Sequence, residues 1–244
     1  MKEIFKHPIV TGSMVLAAGL FLSAIVASSA AYNIRAMDNV LAVTGSARQS
    51  IVADQVKWTL NFSRTVTATT IKEGYAQIDK DREVVKKFFV KNGFEESKLE
   101  ISTVYMDEVY ENNTLAPEFK KYTLRQSVTV NSTDVERIAS ISKNTKDIAE
   151  QGVLLASLTP EYSYSKLGEV RVKLLADALK DAKARAVSIT SVSGSSVGKL
   201  KSATGGVVQV LPQGSVEVSD YGAYDTSSIN KEVMVTVRAS FAIK

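Results

Sequence analysis

Residues 56–63 read Val-Lys-Trp-Thr-Leu-Asn-Phe-Ser, and residues 233–241 read Val-Met-Val-Thr-Val-Arg-Ala-Ser-Phe. In the first, Val56, Trp58, Leu60 and Phe62 alternate with Lys57, Thr59, Asn61 and Ser63. In the second, Val233, Val235, Val237, Ala239 and Phe241 keep the same period of two. Strict alternation with one apolar face is what a strand needs when one side lies on a core and the other meets water. Both stretches are therefore read as half-buried strands, and the rest of the chain is read outward from them.

After the first strand the period changes. Thr70 and Glu73 have capping-box spacing, in which each side chain can serve a free amide at a helix start. Ile71, Tyr75, Ile78, Val85 and Phe89 then form one stripe, Gly74 weakens the helix slightly, and Asn92-Gly93 supplies a left-handed stop. Two strands follow, over 99–110 and 122–130; in the second, Tyr122, Leu124, Gln126, Val128 and Val130 share a face. Their connection carries Asn112, Asn113 and Pro117, as a hairpin loop does. A second helix starts at Thr133 with Glu136 as its box partner and carries Val135, Ile138, Ile141 and Ile148 towards Gly152. Residues 153–164 read as a strand interrupted by Pro160, hence bent or at an edge. The longest helix spans 169–193, with Glu169/Lys173 and Asp181/Arg185 at i,i+4, and stops at Gly194. A strand over 197–211 and a polar stretch over 212–230 lead to the last strand. Before all of these, residues 40–46 form a short apolar strand ending at Gly45. Strand pairs separated by helices predict an α+β fold, with antiparallel sheets covered on one face by helices.

The N-terminus is of another kind. From Pro8 no charged side chain occurs until Arg35, and residues 9–31 are long enough to cross a ~30 Å hydrocarbon layer as a helix. Lys2 and Lys6 precede the run, which keeps residues 1–8 in the cytoplasm and sends the rest outside. Two readings stay open: an uncleaved signal anchor, or a signal peptide cut before Ala31, since Ser28 and Ala30 are small residues at −3 and −1. The run exceeds the usual h-region, which favours the anchor. Residues 32–39 read as a polar stalk and 40–244 as the exported domain.

Composition excludes several chemistries. The chain has no cysteine, so disulfides, thiolate nucleophiles, a lipidated cysteine and Cys-based zinc sites are ruled out. Its one histidine, His7, lies before the apolar run, so no Ser-His-Asp triad or histidine metal site forms in the exported domain. The net charge of +4 is spread along the chain without a basic run, which argues against nucleic acid. Asp107, Glu108 and Glu111 offer oxygen ligands but lack calcium-loop spacing, and a solvated loop is preferred. Asp79, Asp81 and Glu83, set among Lys80, Arg82, Lys86 and Lys87, read as a mixed-charge exposed face. Gly205-Gly206 lacks any phosphate-loop pattern and reads as a turn or bulge, and Trp58 as a core aromatic. No catalytic, cofactor or metal residue is assigned. The residues singled out are Tyr221 and Tyr224, on the stretch 212–230 with Asp220 and Asp225. Tyrosine gives contact area and a polar tip at low entropic cost, as an interface requires; a mobile loop is the alternative.

The pattern resembles the SIMPL domain family from about residue 40 to the C-terminus. The resemblance rests on Val43-Thr44-Gly45 with the alternating strand after it, and on the helix end Phe88-Phe89-Val90-Lys91-Asn92-Gly93-Phe94. Leu99-Glu100-Ile101-Ser102-Thr103, Tyr122 leading into Val128-Thr129-Val130, and the Ala-rich stretch 176–186 continue it in order. Ser46 departs from it, standing where many members carry Glu. The family has no agreed catalytic residues, so none are carried over. What the resemblance implies is an envelope protein that assembles into homo-oligomers, ring-like or channel-like in some relatives and linked in some to envelope or oxidative stress tolerance. The expectation is a non-enzymatic, single-pass protein of the bacterial inner membrane with its C-terminal domain in the periplasm, or a secreted periplasmic protein if cut. It needs no cofactor, and its ligand is unknown. A periplasmic binding module is the alternative.

Overall fold

The alternating stretch at 56–63 lies at the centre of a sheet in a computed structural model that describes residues 8–37, 39–109, 120–157, 159–215 and 221–244. The described chain divides into two compact units. The first comprises Met1–Ala47, Leu175–Gly206 and Val235–Lys244, and the second Arg48–Leu174 and Val207–Met234.

In the second unit, β2 (Gln55–Thr67) pairs antiparallel along its length with β5 (Lys121–Ser132), setting Trp58 against Val130, Leu60 against Val128 and Phe62 against Gln126. Short strands complete the sheet: β3 (Leu99–Ile101) and β4 (Tyr105–Val109) on β5, β6 (Leu155–Ser157) and β7 (Glu161–Ser163) on β2. Helix α2 (Ile71–Lys91) covers one face with Ile78, Val85, Phe88 and Phe89, and α3 (Val135–Ile141) and α4 (Lys146–Ala149) add Ile138 and Ile148 to the same core. Trp58 is wholly buried and meets Phe88 and Phe89 edge to face, with centroids 6.2 and 5.4 Å away.

Several boundaries differ from the local reading. The expected strand over 99–110 is broken at residues 102–104, where the Ser102 carbonyl turns to accept from Gln126 Nε2 at 2.9 Å. The strand over 153–164 is likewise split, on either side of Pro160. The expected helix from Thr133 is two short helices, the first capped by Asp134, whose carboxylate accepts from Arg137 N at 3.1 Å, and the second starting after Thr145. Thr70 does not box with Glu73; its hydroxyl accepts from Thr67 N at 3.0 Å in a 3-10 turn that precedes α2. Gly93 takes the expected left-handed conformation at φ +87°.

Asp81 is not on an exposed face. It is 1% exposed and forms a two-pronged pair with Arg64, Nε to Oδ2 at 2.6 Å and Nη2 to Oδ1 at 2.8 Å. Gln77 Nε2 donates to the same carboxylate, and Arg64 Nη2 also donates to the Gly152 carbonyl at 2.7 Å. The pair thus joins β2, α2 and the turn before β6, and its hydrogen bonds offset the desolvation of both charges. Asp79 and Glu83 do pair outward, with Arg82 and Lys86.

The three-stranded sheet has the order β1 (Val40–Val52), β9 (Asn230–Ile243), β8 (Val197–Pro212). Its strands and helix α5 (Leu167–Val192) each contribute residues to both units. In the first unit Ala178, Ala182 and Ala186 of α5 pack on Val43, Val237, Ala239 and Phe241. Gly45 does not end β1 but lies within it: a Cβ there would overlap Ala178 O and Ala182 N, so glycine admits the helix backbone. Gly206 likewise is no turn but a strand residue, and a Cβ there would overlap Thr236 Oγ1. Asp181 pairs with Arg185 as expected, at 2.8 Å, and accepts from Ser46 N at 2.8 Å. In the second unit Lys173 reaches Gln49 Oε1 at 3.1 Å rather than Glu169.

Helix α1 (Pro8–Met37) contains Gly12–Ala30, 19 residues long and apolar enough to cross a membrane, with none of the stretch buried. At 1.5 Å per residue it spans about 28 Å, close to a hydrocarbon core. The hydroxyls of Ser23 and Ser29 turn back onto the carbonyls of Leu20 and Ile25, both at 2.8 Å, so these polar groups are satisfied within the helix. The helix continues through residues 32–37, where the sequence alone predicts a stalk. His7 lies outside the described residues.

Candidate interaction surface

Between β8 and β9 the chain makes a turn at Pro212–Ser215, closed by Ser215 N on the Pro212 carbonyl at 3.0 Å with Gly214 at φ +82°. From Tyr221 onward it is tied down repeatedly, all within the second unit. Val210 N donates to Ala223 O at 2.7 Å and Asp225 N to Val210 O at 2.8 Å, making a short parallel bridge beside β8. Tyr162 N donates to Thr226 O at 2.7 Å, Ala53 N to Ile229 O at 2.9 Å, and Gln213 N to Asn230 O at 3.2 Å. Gly222, at φ +86°, brings this strap close to β8, where a Cβ would stand 3.1 Å from Val208 O.

Asp225 is the knot of the strap. Its carboxylate accepts from Ser227 N at 2.9 Å, Ser227 Oγ at 2.7 Å, Ser228 N at 3.2 Å and the Ser228 hydroxyl. Lys231, 1% exposed, gives Nζ to the Asp225 carbonyl at 2.6 Å and to its carboxylate at 3.1 Å. Burial alone would raise the Asp225 pKa. The donors from Ser228, Ser227 and Lys231 outweigh it and hold the carboxyl well below the usual carboxylate range.

From the sequence, this stretch is open between contact surface and mobile loop. Residues 221–230 form a pinned strap; Asp220 lies outside the described residues. Tyr221 and Tyr224 are carried on it at 97% and 51% exposure. Both rings thus face solvent from a backbone already ordered, which lowers the entropy that a partner would have to overcome.

Among the open grooves that indent the second unit are two lined by charged and polar side chains suited to binding. One, of about 710 Å³, is lined by Lys57, Lys98, Arg137, Glu95 and Asp134. Its acids are engaged locally, Glu95 with Lys98 at 3.0 Å and Asp134 with Arg137 at 3.0 Å. The other, of about 670 Å³, is lined by Tyr105, Arg125, Ser102 and Gln126 among others. Gln126 Oε1 is buried there with no hydrogen-bond partner in the described structure. Asp107 faces Arg125 at 3.6 Å and Glu108 pairs with Lys120 at 2.8 Å, while Glu111 lies outside the described residues. Among the described residues no three acidic or histidine side chains gather as a metal site would require.

The buried networks of Asp81 and Lys231 escape a purely local reading, although each residue keeps the period of its apolar neighbours. A family model described as SIMPL, a protein of unknown function (DUF541), matches residues 41–241, in agreement with the resemblance drawn from the sequence motifs. No curated protein matches the chain.

Proposed function

The chain belongs to the SIMPL family, and from that premise we propose that it is a non-enzymatic, membrane-tethered envelope protein whose work is self-assembly. In this reading α1 is a single-pass anchor in the bacterial inner membrane, with Lys2 and Lys6 retained on the cytoplasmic side. The domain from residue 40 onward stands in the periplasm and forms a homo-oligomer. The observation that carries the reading is the pair Tyr221 and Tyr224, exposed on a strap pinned by five main-chain bonds and a buried ion pair. Sedimentation velocity of the detergent-extracted full chain tests it: concentration-dependent species heavier than one chain are expected, and a single monomeric boundary at every concentration overturns it. Intact mass of the same material reads the anchor, since an uncut chain weighs 26.4 kDa and a cut before Ala31 removes the helix.

A binding module is the second reading, supported by the unpartnered Gln126 Oε1 beside an open groove. A thermal-shift screen of envelope metabolites separates the two. A ligand held by the native state raises the midpoint, and no shift across the screen counts against a small ligand.

A further inference from the structure

Strand β8 is an outer strand, bonded on one side to β9. At sixteen residues it is long for an edge, and an edge presents a row of unpaired amides and carbonyls. The chain closes its outer side at Val210 with the Ala223–Asp225 bridge. Residues 199–206 are exposed, and among the described residues no main-chain bond from another element reaches their outer side.

Lysines on an edge are an ordinary defence against pairing, and Lys199 and Lys201 fit that role. They guard only half of it, however. The other half, Ala203-Thr204-Gly205-Gly206-Val207, carries no charge. When two such strands run antiparallel about a two-fold axis at Ala203, the charged half of each meets the uncharged half of the other. Lys201 then stands opposite Gly205 and Lys199 opposite Val207, so no two lysines face each other. Ser202 stands opposite Thr204, an apposition of hydroxyls that recurs as a favourable cross-strand pair. Leu200, 44% exposed in the single chain, lies across from the bare backbone of Gly206. A register centred on Lys201 would set that lysine against itself, and one centred on Leu200 would set Lys199 against Lys201.

We infer that residues 199–207 of β8 are a self-association edge, whose occupant is the same strand of a second copy, antiparallel about a two-fold axis at Ala203. This rests on the assembly reading and deepens it. The test follows the self-association of the detergent-extracted full chain by light scattering. Because the axis sets residue 203 against itself, Ala203→Lys alone and Ala203→Glu alone each associate about fivefold more weakly than the parent, and their equimolar mixture recovers parental association. In this cysteine-free chain, Ala203→Cys gives disulfide-linked dimers under mild oxidation, whereas Ser188→Cys on the exposed side of α5 does not. Unchanged association of the charged variants, no recovery on mixing, or equal cross-linking at both positions overturns the edge. If the parent is itself monomeric, the assembly reading falls as well; if it assembles and position 203 is silent, only the edge falls.

Discussion

Lys231 holds an ammonium group at 1% exposure near the start of a strand, and the Asp225 carboxylate and carbonyl are what make that burial tolerable. Removing the charge of the partner leaves a buried cation uncompensated. Asp225→Asn is therefore expected to cost about 3 kcal/mol, read as a lowered urea midpoint near neutral pH. The sign with pH follows from the depressed carboxyl. Its stabilisation is complete above the unfolded value of about 4 and fades as pH falls below that. The parent should lose stability in this acid range more steeply than Asp225→Asn, and parallel curves would contradict this role of the carboxylate. Such sites are partly legible in sequence. Lys231 keeps the parity of Val233 and Val235; Arg64 keeps that of Leu60 and Phe62; Asp81 lies three residues after Ile78 and four before Val85. A charge on an apolar period marks a buried group. Which partner meets it depends on the fold, as with Arg64 and Asp81, which lie on different elements.

At the scale of elements, the Ala178, Ala182 and Ala186 stripe brings α5 close to its sheet, and Gly45 removes the atom that would prevent it. Gly45→Ala is expected to destabilise by about 3 kcal/mol, because backbone atoms rather than a flexible side chain occupy the space. A chemical melt indistinguishable from the parent would contradict that packing. The existence and type of elements are legible wherever the period is long, as in β2, β9, α2 and α5. Their ends are not, because caps compete locally. Thr133 and Asp134 are both acceptable N-caps, and the carboxylate next to the helix is the one that takes the amide. Glycine inside β1 or β8 looks like an ending in sequence. Its reason is a backbone or side chain arriving from a distant element, which no local pattern records.

For the whole molecule, neither sheet order follows from neighbouring residues: β1, β9 and β8 come from opposite ends of the chain, and β2 gathers three later strands. The order of family motifs over residues 41–241 supplies the extent that periodicity does not. Tyr221 is legible only as a residue type suited to contact, and the strap that fixes its backbone emerges from bonds to β7, β8 and the β1–β2 turn. If both proposed surfaces act, the chain has two self-contacts, a two-fold one at β8 and another at the tyrosines. One two-fold contact alone closes a dimer, and a second allows growth beyond it. Light scattering on the full-length detergent-extracted protein beside Tyr221→Ala/Tyr224→Ala tests self-assembly most directly. The expected result is a parent mass several times 26.4 kDa, and a smaller assembly for the double variant with its unfolding midpoint unchanged. A monomeric parent would contradict self-assembly, and a double variant that assembles as fully as the parent would contradict the tyrosine surface as the place where it occurs.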